Sequence, residues 1–225
     1  MEIASNLGIN SSQSKYIAIH DDDDTWESDF LEKTTNFLEC NSKFKGVVTL
    51  STQIHEKITA SDIEEISRNP YNPGLSAIYL GSMTQFNLFP PISFLFSRET
   101  GASVGFFDED LPVLGDWDFN LRFLNICDIG LIPEYLANYH FRSETSSTYG
   151  NSVTKGRNLH QQYDAIVRNK FLRSTNPEVS NNLGLLMAFN LIGGSNSQFI
   201  HDYHRIRSIL SKRKLFSALV KKLIR

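Results

Sequence analysis

Hydrophobic and polar positions alternate along the first 140 residues in a pattern that predicts strands and helices in turn. Short apolar runs predict buried strands, and apolar residues spaced three and four apart predict helices. The predicted elements, in order, are strand 15–20, helix 27–40, strand 46–57, strand 90–98, helix 115–125 and one or two strands within 128–141. From about residue 153 onward the pattern is helical. This order predicts an α/β protein with a mixed sheet.

The composition indicates an ordinary folded protein. The 225 residues are 40% hydrophobic and include 16 Phe and 8 Tyr, which argues against disorder. Cys40 and Cys127 lie in apolar segments without metal-ligand spacing, which predicts reduced core residues in a cytosolic protein. No apolar run approaches the ~18–20 residues of a membrane span, and the N-terminus lacks the features of a secretory signal. The sequence therefore predicts a cytoplasmic protein.

Charge is distributed unevenly along the chain. Residues 201–225 carry eight Lys or Arg against one Asp, although the whole chain has a net charge of −3. The apolar residues of this segment form one helical stripe, which predicts a basic amphipathic helix. Such a helix would make peripheral contact with the inner face of the cell membrane, or pack on the domain or on a second subunit. The acidic remainder and the lack of a recognition motif argue against a nucleic-acid partner.

Four consecutive aspartates, Asp21–Asp24, end the segment YIAIHDDDDTW after its apolar strand. Adjacent carboxylates repel one another, so a folded chain that keeps them together favours a cation beside them. Hard oxygen ligands suit Mg²⁺ or Mn²⁺, and ligands of open α/β sheets bind at the carboxyl ends of strands. The alternative is a solvated acidic turn that precedes the helix at 27–40.

The segment resembles two enzyme classes, of which one is the haloacid-dehalogenase-like phosphatases. Asp21, Asp23 and Thr25 match their D-x-D-x-T motif, with Asp21 as the nucleophile, and LGDWD (114–118) is similar to their later acidic motif. This hypothesis also needs a strand that ends in Ser or Thr, and a lysine. The candidates are Thr49, Ser51 and Lys57.

The stronger resemblance is to the family-2 glycosyltransferases of GT-A fold, the inverting sugar transferases of bacterial surface polysaccharide synthesis. Residues 5–33 are similar to that family's N-x-G segment, short strand, D-x-D motif, Trp and helix. Residues 105–124, GFFDEDLPVLGDWDFNLRFL, resemble the family's segment with an E-D-W or related acidic motif, and the match runs through 128–142. The resemblance covers roughly residues 5–150.

For the donor, the resemblance implies a nucleotide-diphospho-sugar and a divalent cation, Mg²⁺ or Mn²⁺. Asp21 and Asp23 would hold the metal that bridges the diphosphate, with His140 as a further ligand; the alternative for His140 is a structural role. The residues implied to contact the cofactor or donor are Asn6, Gly8, Asp22 and Asp24.

For the acceptor, the resemblance implies that Asp116 is the general base, which removes a proton from the attacking hydroxyl. The alternative for Asp116 is a helix N-cap. Trp117 could stack on a sugar, or pack in the core with its helical neighbours. Many relatives have Glu where this chain has Gly115, and that difference removes a second carboxylate from the site. The chain lacks the Q-x-x-R-W feature of processive synthases, which favours transfer of single sugars to a saccharide or lipid-linked acceptor.

The chain has only 20 residues before Asp21, whereas the family places about a hundred there. We therefore expect residues 1–150 to form a partial GT-A domain that lacks its first nucleotide-binding strands, followed by a helical region at 151–225. The resemblance thus implies a metal-dependent inverting glycosyltransferase of the cell envelope. The alternatives are the phosphatase and an inactive truncated remnant that acts as a binding module.

Overall fold

The structure is a computed structural model, which describes residues 1–59, 62–142 and 157–173, together with 183, 184, 186–188 and 190. The strands are β1 (Tyr16–Ala18), β2 (Thr25–Trp26), β3 (Gly46–Ile58), β4 (Ile63–Pro70), β5 (Phe94–Ser97) and β6 (Ile129–Arg142). The helices are α1 (Glu2–Asn10), α2 (Phe30–Cys40), α3 (Leu80–Met83), α4 (Arg98–Ser103), α5 (Gly115–Leu124) and α6 (Arg157–Arg173). A 3₁₀ turn at Pro91–Ser93 leads into β5.

The strands form one mixed sheet, as the sequence predicts. Its order is β1-β5-β3-β6-β2, and β4 pairs with the outer half of β3. β3 and β6 run parallel over most of their length, whereas β1 and β5 pair antiparallel. β2 is held against β6 by only two residue pairs. Because β1 lies at one end of the order and β2 at the other, the aspartates between them cross the end of the sheet.

Both faces of the sheet are buried, because alternate residues of a strand point to opposite faces. On β3, Val47 belongs to the cluster that α2 covers and Val48 to the cluster that α1, α5 and α6 cover. On β5, Phe94 and Phe96 join the latter cluster, where they pack against aromatic side chains of α5. The sheet therefore lies between two layers of helices, the arrangement of an α/β fold.

A buried carboxylate ties α5 to α6. Asp118 is fully buried, and its carboxylate oxygens accept hydrogen bonds from Arg122 Nε and Lys170 Nζ, each at 2.8 Å. Arg122 also donates to the backbone carbonyls of Val104 and Phe106. Val167 of α6 is buried in the same core cluster. These contacts join the first helix of the predicted C-terminal region, 151–225, to the core of residues 1–142.

Several local features differ from the sequence prediction or extend it. The segment before β1 forms helix α1, and Cys40, predicted as a core residue, is exposed at the end of α2 because it falls on that helix's outer face. Asp29 precedes α2 without a capping hydrogen bond and pairs instead with Lys33 at 2.7 Å. Within the described part of the chain, no helix is long and apolar enough to span a membrane. The predicted basic helix at 201–225 lies outside the described residues.

We expect Asp118→Ala to lower the free energy of unfolding by about 1–3 kcal/mol, because it removes the buried carboxylate that accepts hydrogen bonds from partly exposed Arg122 and Lys170. Denaturant unfolding followed by circular dichroism measures the loss. The matched control is Asp110→Ala, which alters an exposed aspartate of the preceding loop. It should change the unfolding free energy by no more than about 0.5 kcal/mol. Equal effects of the two substitutions would contradict this account.

Candidate active site

The aspartate run forms a turn whose two ends are fixed. The N–H of Asp24 donates to the carbonyl of Asp21 at 3.2 Å, and the chain then enters β2. Trp26 anchors that strand, since its indole N–H donates to the Ile92 carbonyl at 2.7 Å and its ring stacks on Phe30 at 4.5 Å between centroids. The carboxylates therefore lie at the carboxyl end of β1 in a defined arrangement.

The four carboxylates have different surroundings. Asp22 is exposed, Asp21 and Asp23 are half-buried, and Asp24 is only 3% exposed. Asp24 Oδ1 accepts the backbone N–H of His140 at 2.8 Å, whereas its Oδ2 is buried without a hydrogen-bond partner among the described residues. Burial, with smaller contributions from Asp23 and Asp21, raises the pKa of Asp24 to about 7. Burial and the neighbouring aspartates also raise the pKa of Asp21.

Strand β6 supplies positive charge to the aspartate run, which has no Lys or Arg adjacent to it in sequence. Arg142 Nη1 lies 3.7 Å from Asp23 Oδ2, and Arg142 Nε donates to Glu56 on β3 at 2.9 Å. His140 is held by the same glutamate, with Nδ1 at 2.6 Å from Glu56 Oε1, while its Nε2 lies 3.1 Å from the Thr25 hydroxyl. β6 thus places His140 and Arg142 beside the aspartates, 116 or more residues away in sequence.

The residues present fit a divalent cation. Asp21 and Asp23 offer hard carboxylate oxygens, and the unpartnered Oδ2 of Asp24 lies in the same turn. Across the described ranges, no three His, Cys, Asp or Glu side chains are grouped closely enough to form a complete protein cage. Mg²⁺ and Mn²⁺ commonly take only one or two carboxylates, with phosphate and water as the other ligands. His140 would have to release Thr25 to become a ligand through Nε2.

A cleft of about 490 Å³ runs between α1 and β1 and ends at His20, Asp21 and Asp22. Gly8 lines this cleft, and a Cβ there would meet no atom within 4 Å, so the glycine leaves the wall open. The other predicted nucleotide residue, Asn6, is held elsewhere. Its amide donates to the Phe107 carbonyl and to Glu109, each at 2.9 Å, and accepts the Phe107 N–H. These hydrogen bonds give Asn6 a structural role, because they join α1 to the segment at Phe107 and Glu109. Its role in cofactor binding stays a prediction.

Asp116 lies at the first turn of α5, after Leu114 in the left-handed conformation at φ 63°. Its Oδ2 accepts a hydrogen bond from Asn87 Nδ2 at 2.7 Å, and Asn87 Oδ1 in turn accepts from Asn120 at 3.1 Å. Burial is the largest cause that raises the pKa of Asp116 to about 6; Glu2 and Asp21 add to it, and the backbone N–H of Trp117 opposes it. Asp116 and the aspartate run therefore act on each other electrostatically.

Gly115 is where the structure changes the sequence interpretation. A Cβ built on Gly115 would meet the side chain of Glu2, with the Cδ atom of Glu2 at 2.7 Å. Glu2 is 4% exposed and lies against the first residues of α5. The sequence predicts that Gly115 removes a second carboxylate from the site. The fold nevertheless brings one there, from α1.

Trp117 is a core residue in this structure. It is 2% exposed, its indole N–H donates to the Met83 carbonyl at 2.7 Å, and the guanidinium of Arg168 lies 4.8 Å from its ring centroid. The Trp117 side chain is therefore packed in the core, and its contact with a sugar stays a prediction.

Sequence reasoning missed four residues that contact these groups: Glu2, Glu56, Asn87 and Asn120. Glu2, Glu56 and Asn87 come from elements distant in sequence from the groups that they meet, and Asn120 acts through Asn87. Arg142 had offered a signal, as a charge near a predicted strand end.

Neither protein-family models nor curated proteins give a match to this chain. Among solved structures, the chain is similar to S. aureus TarS 1–349, with a TM-score of 0.52 and 9% identity over 83% of this chain and 50% of TarS 1–349. It is also similar to the mannosyltransferase PcManGT from Pyrobaculum calidifontis in complex with GDP-Man and Mn²⁺, with a TM-score of 0.49 and 12% identity over 98% of this chain. The chain spans 62% of PcManGT.

At 9% identity, the likeness to TarS 1–349 shows the fold alone. The chain has a GT-A-like fold, as the sequence resemblance predicts. It spans about half the length of TarS 1–349. The fold brings Asp116 within electrostatic range of Asp21 in the aspartate run.

We expect Asp116→Asn to flatten the pH dependence of stability between about pH 4 and pH 6. The pKa of Asp116 rises on folding to about 6, so the native state holds a proton that the unfolded chain releases, and stability falls as pH rises through this window. The asparagine variant lacks this loss, which amounts to about 3 kcal/mol at most. Urea unfolding at pH 4.5, 5.5 and 6.5 measures the difference. Parallel curves for variant and parent would refute the raised pKa.

Proposed function

We propose that this chain takes part in transfer of a sugar from a nucleotide-diphospho-sugar to an acceptor hydroxyl with inversion. The observation that carries the proposal is the placement of Asp116, which Asn87 Nδ2 holds at 2.7 Å on the first turn of α5, within the electrostatic influence of Asp21 in the D-x-D turn. Burial raises its pKa to about 6. A general base works best when its pKa lies near the operating pH. The GT-A-like fold supports the same class of reaction.

For the donor, we assign the cleft between α1 and β1 and the aspartate turn at its end. The cleft's volume of about 490 Å³ suits a nucleotide-sized ligand. Asp21 and Asp23 would hold Mg²⁺ or Mn²⁺, which supplies positive charge for the departing diphosphate. Asp22 and Gly8 line the cleft. Asp24 fixes the turn to β6 through the hydrogen bond that it accepts from the His140 N–H.

For the acceptor, we assign Asp116 as the general base. Its carboxylate takes the proton of the acceptor hydroxyl as that oxygen forms a bond to the anomeric carbon. The bond from the anomeric carbon to the diphosphate oxygen breaks on the opposite face, and its electron pair leaves with the nucleoside diphosphate. Attack opposite the leaving group inverts the anomeric configuration.

The biological setting is a further proposal that rests on the sequence resemblance. Family-2 relatives act in cell-envelope polysaccharide synthesis, which suggests a saccharide or lipid-linked acceptor. A lipid-linked acceptor would suit a peripheral membrane contact through the basic residues 201–225.

The phosphatase hypothesis gains nothing from the structure. Lys57 lies near the tip of the β3–β4 hairpin, where its register partner is Glu64. β1 and β3 run in the same direction, and Ala18 aligns through β5 with Val47, so Lys57 lies ten strand residues beyond that level. The lysine that a phosphatase would need therefore lies well past the end of β1.

We expect Asp116→Asn to reduce sugar transfer by about 10²–10⁴-fold, because it removes the proton acceptor while it preserves the shape of the side chain. Asp21→Asn should also abolish most transfer, through loss of the metal ligand. Transfer of radiolabelled sugar from a panel of nucleotide sugars, with Mn²⁺ present, measures both effects. The matched control is Asp110→Asn, which should retain full activity.

Two outcomes would overturn the proposal. Phosphate release that Asp21→Asn abolishes and Asp116→Asn leaves intact would identify a phosphatase. No transfer from any donor, together with calorimetric Mn²⁺ binding and no nucleotide binding, would identify a metal-binding module without transferase activity.

A further inference from the structure

Glu2 is a buried carboxylate that the proposed reaction does not use. It lies in the first turn of α1 and is 4% exposed. Charged side chains are rarely buried to this extent unless they are paired. Its Oε2 is 3.4 Å from the α-amino nitrogen of Met1. The side chain points away from solvent and against α5.

The place that Glu2 occupies exists because residue 115 is glycine. Gly115 does not have positive φ, so its backbone would accept a residue with a side chain. Such a side chain would instead collide with three atoms of Glu2, namely Oε1, Cγ and Cδ. The carboxylate of Glu2 on α1 therefore occupies the space that a side chain at position 115 of α5 would fill.

Glu2 therefore also lies close to Asp116, because Gly115 and Asp116 are consecutive residues. The groups that face Asp116 come from every neighbouring element: Glu2 on α1, Asp21 after β1, Tyr71 after β4, Asn87 before β5 and the backbone N–H of Trp117 on α5. Glu2 is the largest charged contributor among them that makes Asp116 hold a proton more strongly.

We propose that Glu2 is the second carboxylate of the acceptor end of the site, a positioning residue that α1 delivers into the space left by Gly115. Its charge sets how strongly Asp116 holds the proton that it takes from the acceptor hydroxyl. This inference rests on the proposed role of Asp116 as the general base. It makes α1 part of the catalytic unit as well as one wall of the donor cleft.

The first test is the titration of Asp116 itself, which needs no enzymatic activity. Carboxyl-carbon NMR on the full chain should show the pKa of Asp116 falling in Glu2→Gln, by roughly several tenths of a pH unit or more. Glu99→Gln is the matched control, because it removes an exposed carboxylate from the first turn of α4. An unchanged Asp116 titration in Glu2→Gln would overturn the proposal.

The second test asks whether position 115 can supply the carboxylate that position 2 loses. Glu2→Ala opens the space beside Gly115. Adding Gly115→Glu to Glu2→Ala should return the pKa of Asp116, and the acid limb of the pH–rate profile, to their values in the parent chain. Gly115→Ala alone should push Glu2 aside and imitate Glu2→Gln. Restoration by Gly115→Ala in the Glu2→Ala background, which carries no charge, would show a packing role only and overturn the proposal.

The two proposals fail in distinguishable ways. If Asp116→Asn leaves sugar transfer intact, the assignment of the general base is wrong, whatever Glu2 does. If Asp116→Asn abolishes transfer while Glu2→Gln changes neither the NMR titration nor the pH–rate profile, the base assignment stands and the Glu2 inference is wrong. Urea unfolding of each variant confirms that the compared chains are folded.

Discussion

The site depends on carboxylates that the fold keeps close together and partly out of water. Burial raises the pKa of Asp24 to about 7 and that of Asp116 to about 6, so ionisation of either costs stability near neutral pH. A cation or a proton relieves that cost. A divalent metal with a diphosphate would relieve it at the aspartate turn, and the acceptor's proton would relieve it at Asp116. The cost of keeping these buried carboxylates ionised thus favours both cation binding at the aspartate turn and proton transfer to Asp116 in the proposed reaction.

The framework limits this cost with polar contacts from distant parts of the chain. Glu56 on β3 orients both His140 and Arg142 on β6, and Arg142 faces Asp23. At the other end of the site, the Asn87 amide donates to Asp116 as a neutral group. A neutral donor fixes the carboxylate without the strong pKa depression that an adjacent cation would cause. This difference separates a turn suited to cation binding from a residue suited to accepting a proton.

The sequence predicted the sheet and the two acidic segments because these depend on local patterns. The apolar run before Asp21 and the helical spacing after Asp116 are visible in a few residues of sequence. It could not predict that Gly115 leaves room for Glu2, because this contact joins α1 to α5 across more than a hundred residues. It also misplaced Cys40, since an apolar segment does not reveal which helical face will be exposed. Side chains that complete the site from β3, β6 and the loop before β5 depend on strand register, which no single segment encodes.

The central claim is that the aspartate turn at the end of β1 binds a divalent cation together with a nucleoside diphosphate. Backbone amide NMR of the full chain, titrated with Mn²⁺ in the presence of UDP or GDP, tests it most directly. Paramagnetic broadening should be strongest at residues 20–24 and 140–142 and weak at 36–40, which pack near the opposite end of β1 through Glu39. An Asp21→Asn/Asp23→Asn variant should lose the effect. Broadening centred elsewhere, or equally strong in the variant, would contradict the account.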